Sequence, residues 1–263
     1  RPIQLDEISK TKIAMIPKKI HFCWLSGDEY PPLIQHCIDT WRQVLTDYEL
    51  VLWDTKRFDI NSVPWVKEAF EAKKYAFAAD YIRLYSVYTE GGIYLDSDVE
   101  VLKSFDDLLQ YKSFIGFEAA TESVEAAIFG AEPGCEWCRK AMEFYRDKHF
   151  CMDEKGGVKL DVIAPNVFGE TLKTVFSDFP TEMPDKPVLL QGNGGIYVCP
   201  AEYFSPLKYD LEKSNGSENK LAMKYKSNPN TYCIHCFTAS WGLKVPMYIR
   251  IWDYIKRRFL KKS

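Results

Sequence analysis

The first part of the chain alternates strand, helix and strand, and this alternation constrains the fold more than any other feature. Residues 18–24 are a short apolar run of strand character, followed by a loop with a glycine and two prolines. Residues 33–45 carry apolar side chains at helical spacing, and residues 48–53 form a second strand-like run. A strand, a helix and a strand in this order predict an α/β fold.

Composition excludes several classes of protein. The chain has 263 residues, of which 46% are hydrophobic and 27% charged, with a net charge of −3. This balance is typical of a globular protein and argues against disorder and against nucleic-acid binding, which favours a basic excess. We see neither a run of about 18 apolar residues nor a signal-peptide pattern, and we therefore expect a cytoplasmic protein.

An acidic pair follows a long helical stretch in the middle of the chain. Residues 66–90 predict one long helix that ends at Gly91-Gly92, and residues 93–95 predict a short buried strand. Asp96 and Asp98 come directly after it. On extended backbone such side chains share a face, so both carboxylates can reach one divalent cation. An Asp-x-Asp alone is typical of a solvated loop, but the end of a buried strand in an α/β sheet favours a ligand site.

Three further residues are candidates for the same site. Asp80 and Arg83 share one helix face within an otherwise apolar segment, which is an unusual place for a surface salt bridge. Arginine suits phosphate or sugar oxygens, and aspartate accepts hydrogen bonds from sugar hydroxyls. His235 follows a strand-like run and is a candidate third metal ligand, although a lone histidine is more often a core residue.

Three blocks of sequence resemble a known family. IPKKIHFCWLSG, AADYIRLYSVYTEGGIYLDSDVE and IHCFTASW occur in this order, as they do in glycosyltransferase family 32, and the likeness runs over residues 16–241. That family includes capsule and lipopolysaccharide sugar transferases and yeast Golgi mannosyltransferases, and it is similar to the sugar-transferring domains of large clostridial toxins. The resemblance implies an α/β fold of the GT-A type, with a mixed, mainly parallel central sheet flanked by helices, and transfer that retains the anomeric configuration.

The resemblance also assigns roles to individual residues. Mn²⁺ or Mg²⁺ is expected to bind Asp98 directly with His235 as a partner, and Asp96 is expected to contact either the metal or the ribose. The other expected contacts are with the donor and the acceptor: Trp24 against the nucleobase, Asp80 and Arg83 on sugar and phosphate, Ser240 and Trp241 over the diphosphate, and Asn166 on the acceptor side. The chain departs from the family at Ala239, where glycine is usual, and at Cys23 and Cys236.

The resemblance implies an enzyme that moves a hexose from a nucleotide sugar to a glycan or lipid-linked glycan during surface-polysaccharide synthesis. UDP-galactose or UDP-glucose is favoured over GDP-mannose. A glycosidase or a metal-dependent phosphatase would also use paired carboxylates. A carbohydrate- or zinc-binding module is the non-enzymatic alternative, because Cys135/Cys138 and Cys233/Cys236 have zinc-ligand spacing. Buried free thiols are the favoured explanation of these pairs, which lack the glycines of zinc ribbons.

The two ends of the chain differ from its centre. Residues 1–14 have no clear pattern, and Met15 resembles a native start, so we expect an extension or a non-native remnant there and a catalytic domain over 15–243. Residues 244–263 contain seven Lys/Arg and one Asp, with aromatic side chains along one helical face. Such a helix either lies on an anionic membrane surface or docks on the core.

Overall fold

In the described part of the chain, nine strands in two sheets position the candidate site. The structure is a computed structural model that describes residues 16–151, 162–192, 194–207 and 228–237. The strands are β1 (Lys19–Cys23), β2 (Glu49–Trp53), β3 (Gly92–Leu95), β4 (Val99–Val101), β5 (Ser113–Phe117), β6 (Val124–Ala131), β7 (Val188–Leu190), β8 (Ile196–Cys199) and β9 (Cys233–His235). Seven of them form a sheet in the order β2-β1-β3-β6-β5-β8-β7, and β4 pairs with β9 in a second, two-stranded sheet.

The central sheet is mixed and mainly parallel, as the family resemblance implied. Strand β1 runs parallel to both β2 and β3, and β5 runs parallel to β8. Strand β6 is antiparallel to its neighbours β3 and β5, and β7 is antiparallel to β8. Five strands therefore point one way and two the other. The strands predicted over residues 18–24, 48–53 and 93–95 are present as β1, β2 and β3, whereas no sequence pattern predicted β4.

Among the described residues, five α-helices cover the two faces of this sheet. They are α1 (Pro32–Val44), α2 (Pro64–Glu71), α3 (Tyr75–Glu90), α4 (Glu136–Arg146) and α5 (Ala164–Val175). Side chains alternate across the sheet, so Tyr94 of β3 packs in the cluster formed with α2 to α5, while Ile93 and Leu95 pack with α1 and the small sheet. The carboxyl end of β3 thus emerges between two apolar layers.

The single helix predicted over residues 66–90 is wrong. The structure has two helices with a break after Glu71, where Lys73 takes a positive φ of 56°. The Trp65 indole of α2 donates a 2.7 Å hydrogen bond to the Phe77 carbonyl oxygen in the first turn of α3. Tertiary packing of the two helices therefore fixes a break that no glycine or proline marks.

The Gly91-Gly92 stop is confirmed, and its backbone shows why glycine is needed. Gly91 ends α3 at φ 65° and Gly92 opens β3 at φ 117°. The buried His21 ring makes a 2.8 Å hydrogen bond to the Gly91 carbonyl oxygen, and its other nitrogen accepts one of 3.0 Å from the Trp53 indole. This bridge ties the glycine turn to β1 and β2, and so fixes the start of the strand that leads to the acidic pair.

Several predictions concern residues outside the described ranges. These are the terminal segments 1–14 and 244–263 and the residues Met15, Ser240 and Trp241. Within the described ranges, the helices are too short or too polar to cross a bilayer.

Candidate active site

The acidic pair lies in the turn that carries the chain from the central sheet to the small sheet. The Asp96 N–H donates a 2.8 Å hydrogen bond to Ala127 of the neighbouring strand, and the Val99 N–H returns one of 3.0 Å to the Asp96 carbonyl oxygen. The expectation that Asp96 and Asp98 share one face of extended backbone is therefore wrong. The backbone turns here because β4 pairs with β9 and not with the central sheet. The turn nevertheless brings both carboxylates to one place.

The pairing of β4 with β9 brings His235 to this turn, because Val99 and His235 are directly opposite in the two strands. Its Nε2 atom lies 3.6 Å from Asp98 Oδ1. One ligand atom from each of Asp96, Asp98 and His235 lies within 4.8 Å of the others. Two carboxylates and an imidazole together offer oxygen and nitrogen donors to a divalent transition-metal cation such as Mn²⁺. The three residues predicted as metal ligands are thus together, and their chemistry fits a divalent cation.

Arg83 supports the turn that carries Asp96 and Asp98. Its Nη2 atom lies 3.1 Å from Asp80 Oδ1, and its Nη1 atom donates to the Ala126 carbonyl oxygen at 2.8 Å and lies 3.4 Å from Asp96 Oδ2. The guanidinium also stands 4.9 Å from the centre of the Tyr94 ring, whose hydroxyl donates a 2.9 Å hydrogen bond to Asp96 Oδ1. Both oxygens of Asp96 therefore have a partner that fixes their direction.

Asp80 and Arg83 are 6% and 5% exposed, so the pair is buried. Burial raises the pKa of Asp80 to about 7, and the Arg83 charge opposes that rise. Most donor atoms of Arg83 already serve protein acceptors. This geometry assigns the pair to the positioning of Asp96, and the predicted contacts with sugar and phosphate stay predictions.

Two buried glutamates lie on the far side of His235 and were missed in the sequence. Glu125 Oε2 lies 3.3 Å from His235 Nδ1, and Glu118 belongs to the same cluster. Glu125 is a single charged residue inside the apolar strand β6, which is the kind of signal that singled out Asp80 and Arg83. Glu118 directly follows β5, as Asp96 follows β3. Both signals were present in the sequence.

The charge on His235 follows from these neighbours. Burial acts to lower the pKa of His235, but Glu125 and Asp98 outweigh it and raise the pKa to about 10. Without a metal ion the ring is thus an imidazolium between carboxylates. A divalent cation supplies positive charge at the same place and competes with the Nε2 proton.

Comparison with known proteins identifies the segment that carries this turn. Residues 31–115 match the family described as "Glycosyltransferase sugar-binding region containing DXD motif". This segment is similar to the sugar-binding region of DXD-motif glycosyltransferases. The DXD motif of the family corresponds to Asp96-Ser97-Asp98 here. The match ends at residue 115 and therefore contains neither Glu125 nor His235. The fold brings both residues to the turn formed by Asp96, Ser97 and Asp98, which we call the DXD turn.

Curated relatives resemble the chain over part of their length. Inositol phosphoceramide mannosyltransferase 3 of Schizosaccharomyces pombe is 33% identical over 116 residues, which cover 41% of this chain and 32% of the relative. Mannosyl phosphorylinositol ceramide synthase SUR1 of Saccharomyces cerevisiae is 28% identical over 146 residues, which cover 53% of this chain and 37% of the relative. The chain thus spans only about a third of the length of these relatives.

One solved structure, titled PaToxG Glycosyltransferase, superposes with a TM-score of 0.45 at 20% identity over 60% of this chain and 68% of that one.

Two other predicted contact residues have different surroundings. Trp24 follows β1 at the same sheet edge as the DXD turn, and its half-buried ring packs edge-on against Tyr30 at 5.0 Å. Asn166 is exposed in the first turn of α5 and lines a cleft of about 340 Å³ together with Ser123 and Lys173. Their contacts with nucleobase and acceptor stay predictions.

The two C-x-x-C pairs do not form a joint site. In the described parts of the chain, the groups of three or more side chains that can hold a metal contain Asp, Glu and His but no cysteine. Cys135 lies next to Cys138 at the start of α4, whereas Cys233 is buried in the small sheet. The geometry does not support the four-thiolate zinc alternative.

Proposed function

We propose that this chain transfers a hexosyl residue from a nucleotide-diphosphate sugar to an acceptor hydroxyl, with a divalent cation held by Asp96, Asp98 and His235. The observation that carries the proposal is the convergence of these three side chains, within 4.8 Å, at the end of the strand that bears the DXD motif. A bound cation supplies charge stabilisation for the departing diphosphate.

The residues around the cation would act mainly by position. Arg83 and Tyr94 hold the two Asp96 oxygens, so the carboxylate needs no reorganisation when donor binds. Asp96 has 27% of its side chain exposed, and it is the member of the set that a diphosphate or a ribose can approach. Trp24, at the same edge, offers a flat face for the base.

The bond changes are those of a glycosyl transfer. The bond between sugar C1 and the diphosphate oxygen breaks, and its electron pair stays on the nucleoside diphosphate. A new bond forms between C1 and the acceptor oxygen, whose proton leaves to solvent or to the departing phosphate. We assign no protein nucleophile, and retention of the anomeric configuration remains part of the proposal.

The proposal has two versions, which differ in the donor sugar and in the acceptor. The names of the relatives describe mannosyl transfer to a ceramide phosphoinositol lipid, which favours a mannosyl donor such as GDP-mannose for this chain. The resemblance to capsule and lipopolysaccharide transferases favours UDP-galactose or UDP-glucose with a glycan or lipid-linked glycan acceptor. Both versions use the same cation site.

A donor screen tests the proposal. Purified chain with Mn²⁺ is incubated with GDP-mannose, UDP-galactose and UDP-glucose, and thermal stabilisation and slow hydrolysis of each donor are measured, because a true donor stabilises the fold by mass action. We expect one of them to raise the melting temperature and to be hydrolysed, and chelator to abolish both effects. Hydrolysis that is insensitive to chelator would instead support a glycosidase. The configuration of the released or transferred sugar, followed by NMR, tests retention.

A further inference from the structure

Two clusters of candidate metal ligands share His235. One contains Asp96 and Asp98, and the other contains Glu118 and Glu125. They use different nitrogen atoms of the ring, since Nε2 lies 3.6 Å from Asp98 Oδ1 and Nδ1 lies 3.3 Å from Glu125 Oε2. A neutral imidazole has one lone pair available for a metal and one N–H to donate. Only one of the two sides can therefore receive a cation.

The glutamate side is built as a hydrogen-bonded support. Glu125 is 1% exposed, and its Oε1 atom accepts a 2.7 Å hydrogen bond from the Ala127 N–H, so the carboxylate is fixed to its own strand. Glu118 is 7% exposed and accepts hydrogen bonds from the hydroxyls of Thr121 and Ser123. These oxygens are committed to donors within the protein, and a substrate has little access to them.

The aspartate side is built as a ligand site. The Asp96 side chain is 27% exposed, while the His235 side chain behind it is 13% exposed. A diphosphate can therefore complete the coordination of a cation on this side only. The difference in access decides which nitrogen atom of His235 faces the cation.

We infer that Glu125 is a positioning residue, which accepts the Nδ1–H of His235 and thereby directs the Nε2 lone pair towards the cation at Asp96 and Asp98. The inference rests on the proposed function for the identity of that cation site. A carboxylate on the far nitrogen fixes both the tautomer and the ring direction of a metal-binding histidine, and loss of such a partner weakens metal affinity.

Glu125→Gln tests this arrangement because one amide oxygen cannot replace two carboxylate oxygens. If that oxygen keeps the Ala127 N–H, the amide NH₂ group faces Nδ1 and favours the Nε2–H tautomer, in which Nε2 has no lone pair for a cation at Asp96 and Asp98. Glu118→Gln is the matched control, since its Oε1 atom can still accept from Thr121 and Ser123. Both variants remove one negative charge at a similar depth.

The measurement is Mn²⁺ binding to the full chain without donor, by calorimetry or by electron paramagnetic resonance of free Mn²⁺. We expect Glu125→Gln to weaken binding by about 10- to 100-fold and Glu118→Gln to change it by less than about threefold. Equal affinities of Glu125→Gln and wild type would overturn the inference. If Asp98→Asn still binds Mn²⁺ while both glutamate variants lose binding, the cation lies on the side of Glu118 and Glu125. This outcome also overturns the inference.

A second measurement does not depend on how the variants fold. The tautomer of His235 in the Mg²⁺-loaded wild-type chain is read from its ¹⁵N shifts, and we expect the proton on Nδ1; a proton on Nε2 contradicts the inference. Absence of Mn²⁺ binding by wild type would remove the cation site of the proposed function as well. If the Mn²⁺ affinities of wild type and variants are as expected but the chain transfers no sugar, the positioning role of Glu125 stands. Only the proposed sugar transfer is then refuted.

Discussion

Asp98 and His235 come from distant parts of the chain, yet the pairing of β4 with β9 sets His235 Nε2 3.6 Å from Asp98 Oδ1. Backbone hydrogen bonds hold this contact on both sides, since the Cys236 N–H donates to the Asp98 carbonyl oxygen at 3.0 Å. The pairing of β4 with β9 in the small sheet therefore adds His235 to the two aspartates of the candidate cation site. Its role explains why a short strand such as β4 leaves the central sheet directly after the DXD turn.

Asp98→Asn should abolish cation binding and sugar transfer without loss of the fold. The substitution keeps the shape of the side chain but removes the charge that a hard cation requires. We expect Mn²⁺ affinity to fall by more than about 100-fold, since even partners of metal ligands contribute 10- to 100-fold. Calorimetric titration with Mn²⁺ measures it, and Asp178→Asn, on an exposed carboxylate, is the control. Normal turnover in Asp98→Asn would refute the metal role.

Arg83→Met should destabilise the protein strongly because it leaves Asp80 buried without its ionic partner. Removing one member of a buried ion pair costs about 3–5 kcal/mol. Asp80→Asn should cost less, since an amide oxygen still accepts a hydrogen bond from Arg83. Urea unfolding measures the free energy of unfolding of each variant.

The double variant Asp80→Leu/Arg83→Met separates stability from function. Replacing a buried ion pair by apolar residues is often neutral or stabilising, so we expect stability to recover partly while transfer stays lost. Transfer at wild-type rates in the double variant would show that Asp96 needs no support from Arg83.

The sequence was sufficient to predict the central part of the site. Asp96 and Asp98 follow a strand, a glycine stop and a helix, and these are local signals in one continuous segment. His235 was found through the resemblance, because its own surroundings are those of an ordinary core histidine. Each of these predictions depends on residues that are close in sequence or on a motif that is specific.

The remaining features depend on contacts between distant segments. Strand β4 has three residues, too few for an alternating pattern, and it exists because β9 pairs with it. The break at Lys73 has no glycine or proline, and the Trp65 contact with Phe77 fixes it. The role of Glu125 depends on its approach to a strand from the far end of the described chain, which no local pattern predicts.

Gly92→Ala should destabilise the protein far more than the same change at Gly192. Gly92 has φ 117°, and an added Cβ atom would lie 2.8 Å from the Lys19 carbonyl oxygen and 3.1 Å from His21 Nε2. Strained backbone and steric overlap together cost about 2–5 kcal/mol. An added Cβ atom at Gly192 meets nothing within 4 Å, and we expect less than about 0.5 kcal/mol there. Thermal unfolding compares the two, and equal melting temperatures would show that β1 yields at this contact.

Glu90→Gln should lower stability at neutral pH but not at low pH. Glu90, the last residue of α3, lies 2.8 Å from Lys19 Nζ and 2.6 Å from Arg57 Nη2. Partial burial acts to raise the pKa of Glu90, but the hydrogen bonds from Lys19 and Arg57 outweigh it and hold that pKa below its usual value of 4.5. The folded state therefore binds the proton of Glu90 less tightly than the unfolded state does.

The sign of the pH dependence follows from that difference. The stabilisation by ionised Glu90 is fully present above the unfolded pKa, and it is lost as pH falls through the lower pKa of the folded state. Since these ion pairs are partly exposed, we expect a difference of about 1 kcal/mol between wild type and Glu90→Gln at pH 7. Urea unfolding between pH 7 and pH 3 measures it, with the exposed Glu71→Gln as control. A difference that grows on acidification would contradict the assigned ion pairs.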